Sequence, residues 1–354
     1  GLPSVPITVF EAGNGWWWLI LRGGHVYRID PDNAQWTTYI DLHFQCETAD
    51  GIRWFLKEDG GVVSFDRAAG TWLQYAKEEG LIGNIKSLFA SSHGLVWAVG
   101  STKGRAAFSV FNGGQWKMHT LPGFAALIGR GAVFEAMDGT IWFGAIGDML
   151  RDVPHAGGAL QFEVKSGEPR MVRHHRPPAV PYAIARFAQT QDGSIWLGAP
   201  QLFRYDPSGN GSVAFIPELP SVYTFDIATD AAGNLWVAKG LFGLYRKADA
   251  GWMRYDESSG LSGKLFVSLL PLPDGTILAS SEKGVSRFDG TVWAGAVLPE
   301  DFGMSSRDSF LQRSRDGSVW LNFSGRDSRS PRITMNVDMS NRFCTALPGL
   351  WGDL

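Results

Sequence analysis

The sequence predicts an all-β fold built from short four-stranded antiparallel units, and three observations carry that prediction. A phrase of the type Asp-Gly-x-[Ile/Val/Leu]-Trp returns, with variations, eight times along the 354 residues. A second aromatic residue follows each copy at a near-constant distance. Between these marks lie short alternating apolar runs broken by Gly, Asn, Asp and Ser, the pattern of strands and tight turns rather than of long helices.

The copies are, in order, "NGWWW" ending at Trp18, "DGIRW" at Trp54, "HGLVW" at Trp97 and "DGTIW" at Trp142. They continue as "DGSIW" at Trp196, "AGNLW" at Trp236, "DGTIL" at Leu278 and "DGSVW" at Trp320. Neighbouring copies are 36, 43, 45, 54, 40, 42 and 42 residues apart, close to the roughly 40–45 residues of one four-stranded propeller blade. The expectation is a single β-propeller domain over residues 1–354, with eight blades from eight repeats of 36–54 residues and seven blades as the alternative. The ends of the chain would meet at a seam between the first and last blades. The 54-residue interval marks an insertion in one blade.

The unit is clearest in "RFAQTQDGSIWLGAPQLFRYDPSGNGSVAFI", residues 186–216. An apolar run leads into the Asp-Gly turn, "IWLGA" and "LFRYD" follow, and a Gly/Ser/Asn turn precedes a last strand that carries an aromatic. The turn calls for Gly because its backbone visits positive φ, and for Asp because its carboxylate bonds nearby amides. The second aromatics are Trp36, Trp72, Trp116, Phe162, Phe215, Trp252, Trp293 and Phe343. They are expected on outer strands, where large rings fill the space that widens between neighbouring blades.

This grammar divides the run Trp16, Trp17, Trp18. Successive side chains on a strand face opposite ways, so the three indoles cannot share one core. Trp18 is the repeat tryptophan, and Trp17 takes the slot of Ile141, Ile195 and Val319, facing the other side of its strand. Trp16 stands where other repeats have Thr140, Ser194, Asn234, Thr276 and Ser318. It is expected to cover the seam together with Trp351, or to serve as a stacking platform for a ligand or partner.

Composition narrows the function. Apolar residues make up 44% of the chain, with 44 Gly and 15 Trp, which is a globular, turn-rich composition. The 32 Lys and Arg against 35 Asp and Glu leave a formal charge of -3, too little positive field for nucleic acid or an anionic membrane. No run is long enough to span a bilayer, so no membrane insertion by this segment is expected. Cys46 and Cys344 are the only cysteines and make neither a disulfide framework nor a paired-cysteine metal motif.

The pieces "DGTIWFGAIGDMLRD" (138–152), "DGSIWLGAPQLFRYD" (192–206), "GNLWVAKGLFGLYR" (233–246) and "DGTILASSEKGVSRFD" (274–289), with the connections "GLPS", "GLIGN" and "GLSGK", resemble the two-component-regulator propeller repeat. The resemblance spans nearly the whole chain. It implies a bacterial extracytoplasmic sensor module, periplasmic or extracellular, commonly joined to a transmembrane histidine kinase or cyclase and often reading glycans or their fragments. The sequence departs from that pattern in having eight repeats where a single ring of the family has seven, and in containing no immunoglobulin-like, membrane or kinase segment. The sialidase Asp-box is disfavoured because Asp and Gly are adjacent here; the streptogramin-lyase propeller has a similar Trp-rich repeat.

Propellers bind ligands at one mouth of the central channel, where the entrances to the inner strands converge with the loops after the second strands. Counting back from each Asp-Gly turn places His43, Lys86, Arg130, Tyr182, Arg186, Tyr223, Lys264 and Arg307 at those entrances. A rim of cations and aromatics suits an anionic or polyhydroxylated small molecule or oligosaccharide, through charge-assisted hydrogen bonds and ring stacking. The four cations Lys86, Arg130, Arg186 and Arg307 are expected to converge there as exposed loop charges; ordinary solvated loops are the alternative. The segment "RMVRHHRPPAVPY" (170–182) offers His174 and His175 on an expected insertion loop, where Arg170, Arg173 and Arg176 favour an anion over a metal ion. No catalytic triad order, metal-binding helix motif or phosphate-cradling loop is present, so neither a catalytic residue, a cofactor nor a metal is expected. The leading expectation is a ligand-sensing propeller, with a lyase or glycan hydrolase as the alternative and a protein-interaction scaffold as a third reading.

Overall fold

A computed structural model describes side chains over most of residues 45–295, apart from short segments at 58–59, 67, 130, 148–156, 177–178, 209–210 and 249–250, and of Leu311, Arg313 and Val319. It also describes the backbone of the strands between residues 6 and 44 and between 296 and 337. Arg130, Arg307, Trp16, Trp351, Phe343 and Cys344 lie outside the described residues.

Among the described residues the alternating runs form eight antiparallel sheets in chain order, six of them four-stranded. The fifth sheet has the expected plan, with Arg186–Gln189, Ile195–Gly198, Leu202–Asp206 and Ser212–Ile216 paired in sequence order. Among the described residues there is no α-helix, only two short 3-10 turns at Lys77–Glu79 and Glu257–Ser259. The Asp-Gly turn behaves as its chemistry requires. Gly193 has φ +81°, its amide donates to the Thr190 carbonyl, and Asp192 accepts the Ser194 amide at 3.1 Å.

The paired aromatics have a packing reason. Along Val96–Thr102, Val96 and Ala98 join the core between the second and third sheets, whereas Trp97 and Val99 join the core between the third and fourth. The period of two thus gives each sheet two apolar faces, one for each neighbour. Among the described side chains, repeat tryptophans pack onto the next sheet: Trp54 meets Trp116 edge-on at 5.8 Å, Trp196 meets Trp252 at 6.4 Å and Trp236 meets Trp293 at 5.8 Å. Several indoles also donate to a turn of their own sheet, as Trp196 does to the Thr190 hydroxyl and Trp236 to Asp230. Side chains at the ends of inner strands latch neighbouring sheets together. Glu135 accepts the Ser92 amide of the previous sheet at 2.7 Å, and Gln189 accepts the Met137 amide at 2.7 Å.

The fourth sheet departs from expectation. Phe162 lies in the penultimate strand Gly158–Lys165, not in the outer one, and residues 170–175 are not a loop. They belong to the outer strand Glu168–His175, which pairs with Gly158–Lys165 through a bulge. His175 stacks on the repeat residue Trp142 of its own sheet at 4.8 Å, the place that Tyr75 takes on Trp54 and Tyr255 on Trp236.

Trp17 and Trp18 lie in the strand Trp17–Leu21, opposite Glu11 and Phe10; their side chains lie outside the described residues.

Candidate functional site

In a sheet meander, the entrance to the first strand and the turn after the second lie at the same end. Lys86 stands at that end of the third sheet. Ser87 pairs with Val99 and Ile85 with Gly100, which leaves Lys86 as the extra residue of a bulge. A bulge re-aims its side chain, and Lys86 is exposed. The fourth-sheet entrance presses against it: a Cβ on Gly129 would come within 2.5 Å of the Lys86 Cβ. Two residues on, a Cβ on Gly131 would come within 2.5 Å of Arg186 Cδ. Gly129 therefore lies against Lys86 and Gly131 against Arg186, and glycine suits both positions because those side chains take the space.

Arg186 corrects the expectation of an exposed loop charge. It opens an inner strand, is buried, and its Nε lies 3.5 Å from Asp226 Oδ1 while Nη1 donates to the Ala185 carbonyl at 2.7 Å. An inner strand packs against both neighbouring sheets, so a side chain leaving it sideways is covered. Asp226 also accepts the amides of Ile227 and Leu269, at 3.0 and 2.8 Å, and the Ser268 hydroxyl. Burial pushes its carboxyl above the usual range, against the pull of Arg186 and these donors. Since Ser268 in turn accepts the Leu311 amide at 3.2 Å, one polar chain links the inner strands of the fifth to eighth sheets.

Tyr182 and Tyr223 are 39% and 47% exposed on the entrances of the fifth and sixth sheets. The Tyr223 ring meets Phe225 edge-on at 5.1 Å. Lys264 is exposed, but its ammonium lies 3.5 Å from Glu257, and Glu282 accepts its amide, so that entrance is close to charge-balanced. His43 lies in the strand Leu42–Glu47, with its side chain outside the described residues.

The two histidines do not act together. Neighbours on a strand face opposite sides. His174 donates from Nε2 to the Gly157 carbonyl at 2.9 Å and packs on Phe124, whereas His175 is buried between Trp142 and Tyr205. Burial, Arg173 and His174 push the His175 imidazole down to about 4, so it is neutral near pH 7. Among the described residues, no three His, Cys, Asp or Glu side chains converge to hold a metal ion.

Lys239 was not singled out from the sequence. It is 1% exposed, and its ammonium donates to the Thr224 hydroxyl at 2.8 Å, the Val222 carbonyl at 3.1 Å and the Pro200 carbonyl at 3.4 Å. Burial lowers its amine to about 8. The signal was weak: three residues after the repeat Trp, the three repeats just before carry Gly100, Ala145 and Ala199, but the second repeat also has a lysine there, Lys57.

No family model and no curated protein sequence matches the chain. Solved structures do share its fold. The extracellular domain of BT3049 from B. thetaiotaomicron, described there as a hybrid two component system whose assignment is provisional, superposes with a TM-score of 0.50 at 13% identity, over 96% of this chain and 53% of that one. PorZ, a surface component of the type-IX secretion system of Porphyromonas gingivalis, gives 0.50 at 13% identity, over 94% and 56%. The chain thus spans about half the length of each. Virginiamycin B lyase from Staphylococcus aureus reaches 0.44 at 14% identity, over 79% and 92%. The all-β, sheet-after-sheet architecture is what the likenesses to BT3049 and PorZ establish.

Proposed function

We propose that the chain is a ligand-sensing β-propeller of an extracytoplasmic bacterial signalling protein, its eight sheets closing as eight blades. It binds an anionic or polyhydroxylated small molecule at the end where the strand entrances meet. The observation that carries this reading is the placement of exposed Lys86 against Gly129, two residues from the Gly131 that abuts Arg186, with the exposed rings of Tyr182 and Tyr223 on entrances at that end. A cation and aromatic faces at one mouth suit a carboxylate-bearing sugar, since the ammonium bonds the carboxylate and the rings stack on the pyranose. The extracellular domain of BT3049 shares the fold and supports the extracytoplasmic, sensing part of the reading.

Calorimetric titration of a uronate-bearing oligosaccharide and its neutral counterpart, at low and high salt, tests the proposal. The acidic probe binds more tightly, its affinity falls as salt rises, and Lys86→Ala weakens it without changing the melting temperature. Equal binding of both probes, or an unaffected Lys86→Ala variant, refutes it.

A further inference from the structure

We infer that Lys239 is the positioning residue of the rim at Tyr223, an inference that rests on the ligand-site reading above for its functional consequence. The ammonium grips both neighbours of Tyr223 in the chain, through the carbonyl of Val222 and the hydroxyl of Thr224. Its third bond goes to Pro200, in the turn after the second strand of the preceding sheet. Thr224 completes the tie, because its hydroxyl and its amide both donate to Ala199, at 2.7 and 3.0 Å. The loop bearing Tyr223 is thus fastened to the fifth sheet on either side of the ring, while the ring itself remains 47% exposed.

Two features distinguish this from filling of space. All three partners are neutral oxygens, so the buried cation is offset by no carboxylate among the described residues. A methionine would fill the same volume without that desolvation cost, and what it would lack is three divergent donors on one atom. The acceptors on Val222 and Pro200 also lie outside the strands of their sheets. The bonds therefore fix the loop, not the ladder. The adjoining turn packs closely on the same segment: Gly240 has φ +57°, and a Cβ there would meet the Phe225 ring at 2.6 Å.

The test compares Lys239→Met, and separately Thr224→Val, with the wild type by hydrogen exchange and by calorimetry. Either variant raises amide exchange in the 220–225 segment about tenfold, the effect of losing one or two internal hydrogen bonds, while exchange in the inner strands of the second and third sheets stays unchanged. Each also weakens binding of the uronate-bearing oligosaccharide to about the same extent as Tyr223→Ala. Thr224→Val decides the matter if Lys239→Met does not fold. A uniform rise in exchange across all sheets, or local loosening with unchanged affinity, overturns the proposal. If the wild type binds no oligosaccharide, the ligand reading fails, and the exchange data alone decide whether Lys239 positions the loop.

Discussion

His175 makes the stability of the protein depend on pH in a window that one substitution should close. Its ring lies against Trp142, centroids 4.8 Å apart and planes 19° from parallel, with Tyr205 edge-on at 5.0 Å. Its Nε2 is buried without a hydrogen-bond partner. Burial first, then the charges of Arg173 and His174, hold the imidazole at about 4, against about 6.5 in an unfolded chain. Above about pH 6.5 both states are neutral and the full stability is present. As the pH falls from there, the unfolded chain takes up a proton that the folded protein refuses until about pH 4. Stability is therefore lost through that window, by about 3 kcal/mol in all for a ring only 7% exposed. His175→Phe keeps a flat ring on Trp142 and removes both the titrating group and the orphaned nitrogen. Urea denaturation at a series of pH values should show the wild type weakening toward pH 4 and the variant weakening less by about that amount. Parallel losses in the two proteins would refute the reasoning.

Other substitutions separate the parts of the account. Arg186→Ala leaves Asp226 buried beside a vacant partner and should cost about 3–5 kcal/mol in a denaturant titration, whereas exposed Lys86→Ala should change stability by no more than about 0.5 kcal/mol. Trp236→Ala empties the contact between the sixth and seventh sheets and should cost about 3–5 kcal/mol by the same measurement. Gly94→Ala, with φ +74° and nothing within 4 Å of the added carbon, should cost about 1 kcal/mol; Gly131→Ala, with φ +80° and Arg186 in the way, should cost more.

The sheets were legible because each repeat carries its own turn and its own pair of apolar faces. "DGSIW" specifies a turn, a strand and a core residue within five positions, and the chain repeats that information. The fourth sheet was misread because an aromatic at the right spacing, Phe162, imitates the outer-strand mark, while the true outer strand, with Arg170, Arg173 and two histidines, looks like a polar loop. The strand entrances were legible by position and not by environment. Counting back from the turns found Lys86, Tyr182, Arg186 and Tyr223, yet the count cannot tell the exposed Lys86 from Arg186, whose burial depends on the neighbouring sheet and on Asp226 some 40 residues away. Lys239 was passed over for the same reason. Its partners come from two other segments, 200 and 222–224, that only folding brings together.

The central claim is that a ligand sits at the end of the sheets that carries Lys86, Tyr182 and Tyr223. Hydroxyl-radical footprinting with and without the uronate-bearing oligosaccharide tests it most directly, because exposed tyrosines are modified in proportion to their access to solvent. The account predicts that the oligosaccharide protects Tyr182 and Tyr223, while Leu73 and Met253, exposed on outer strands, are modified as before. Protection of Leu73 or Met253 with none at the two tyrosines would contradict it.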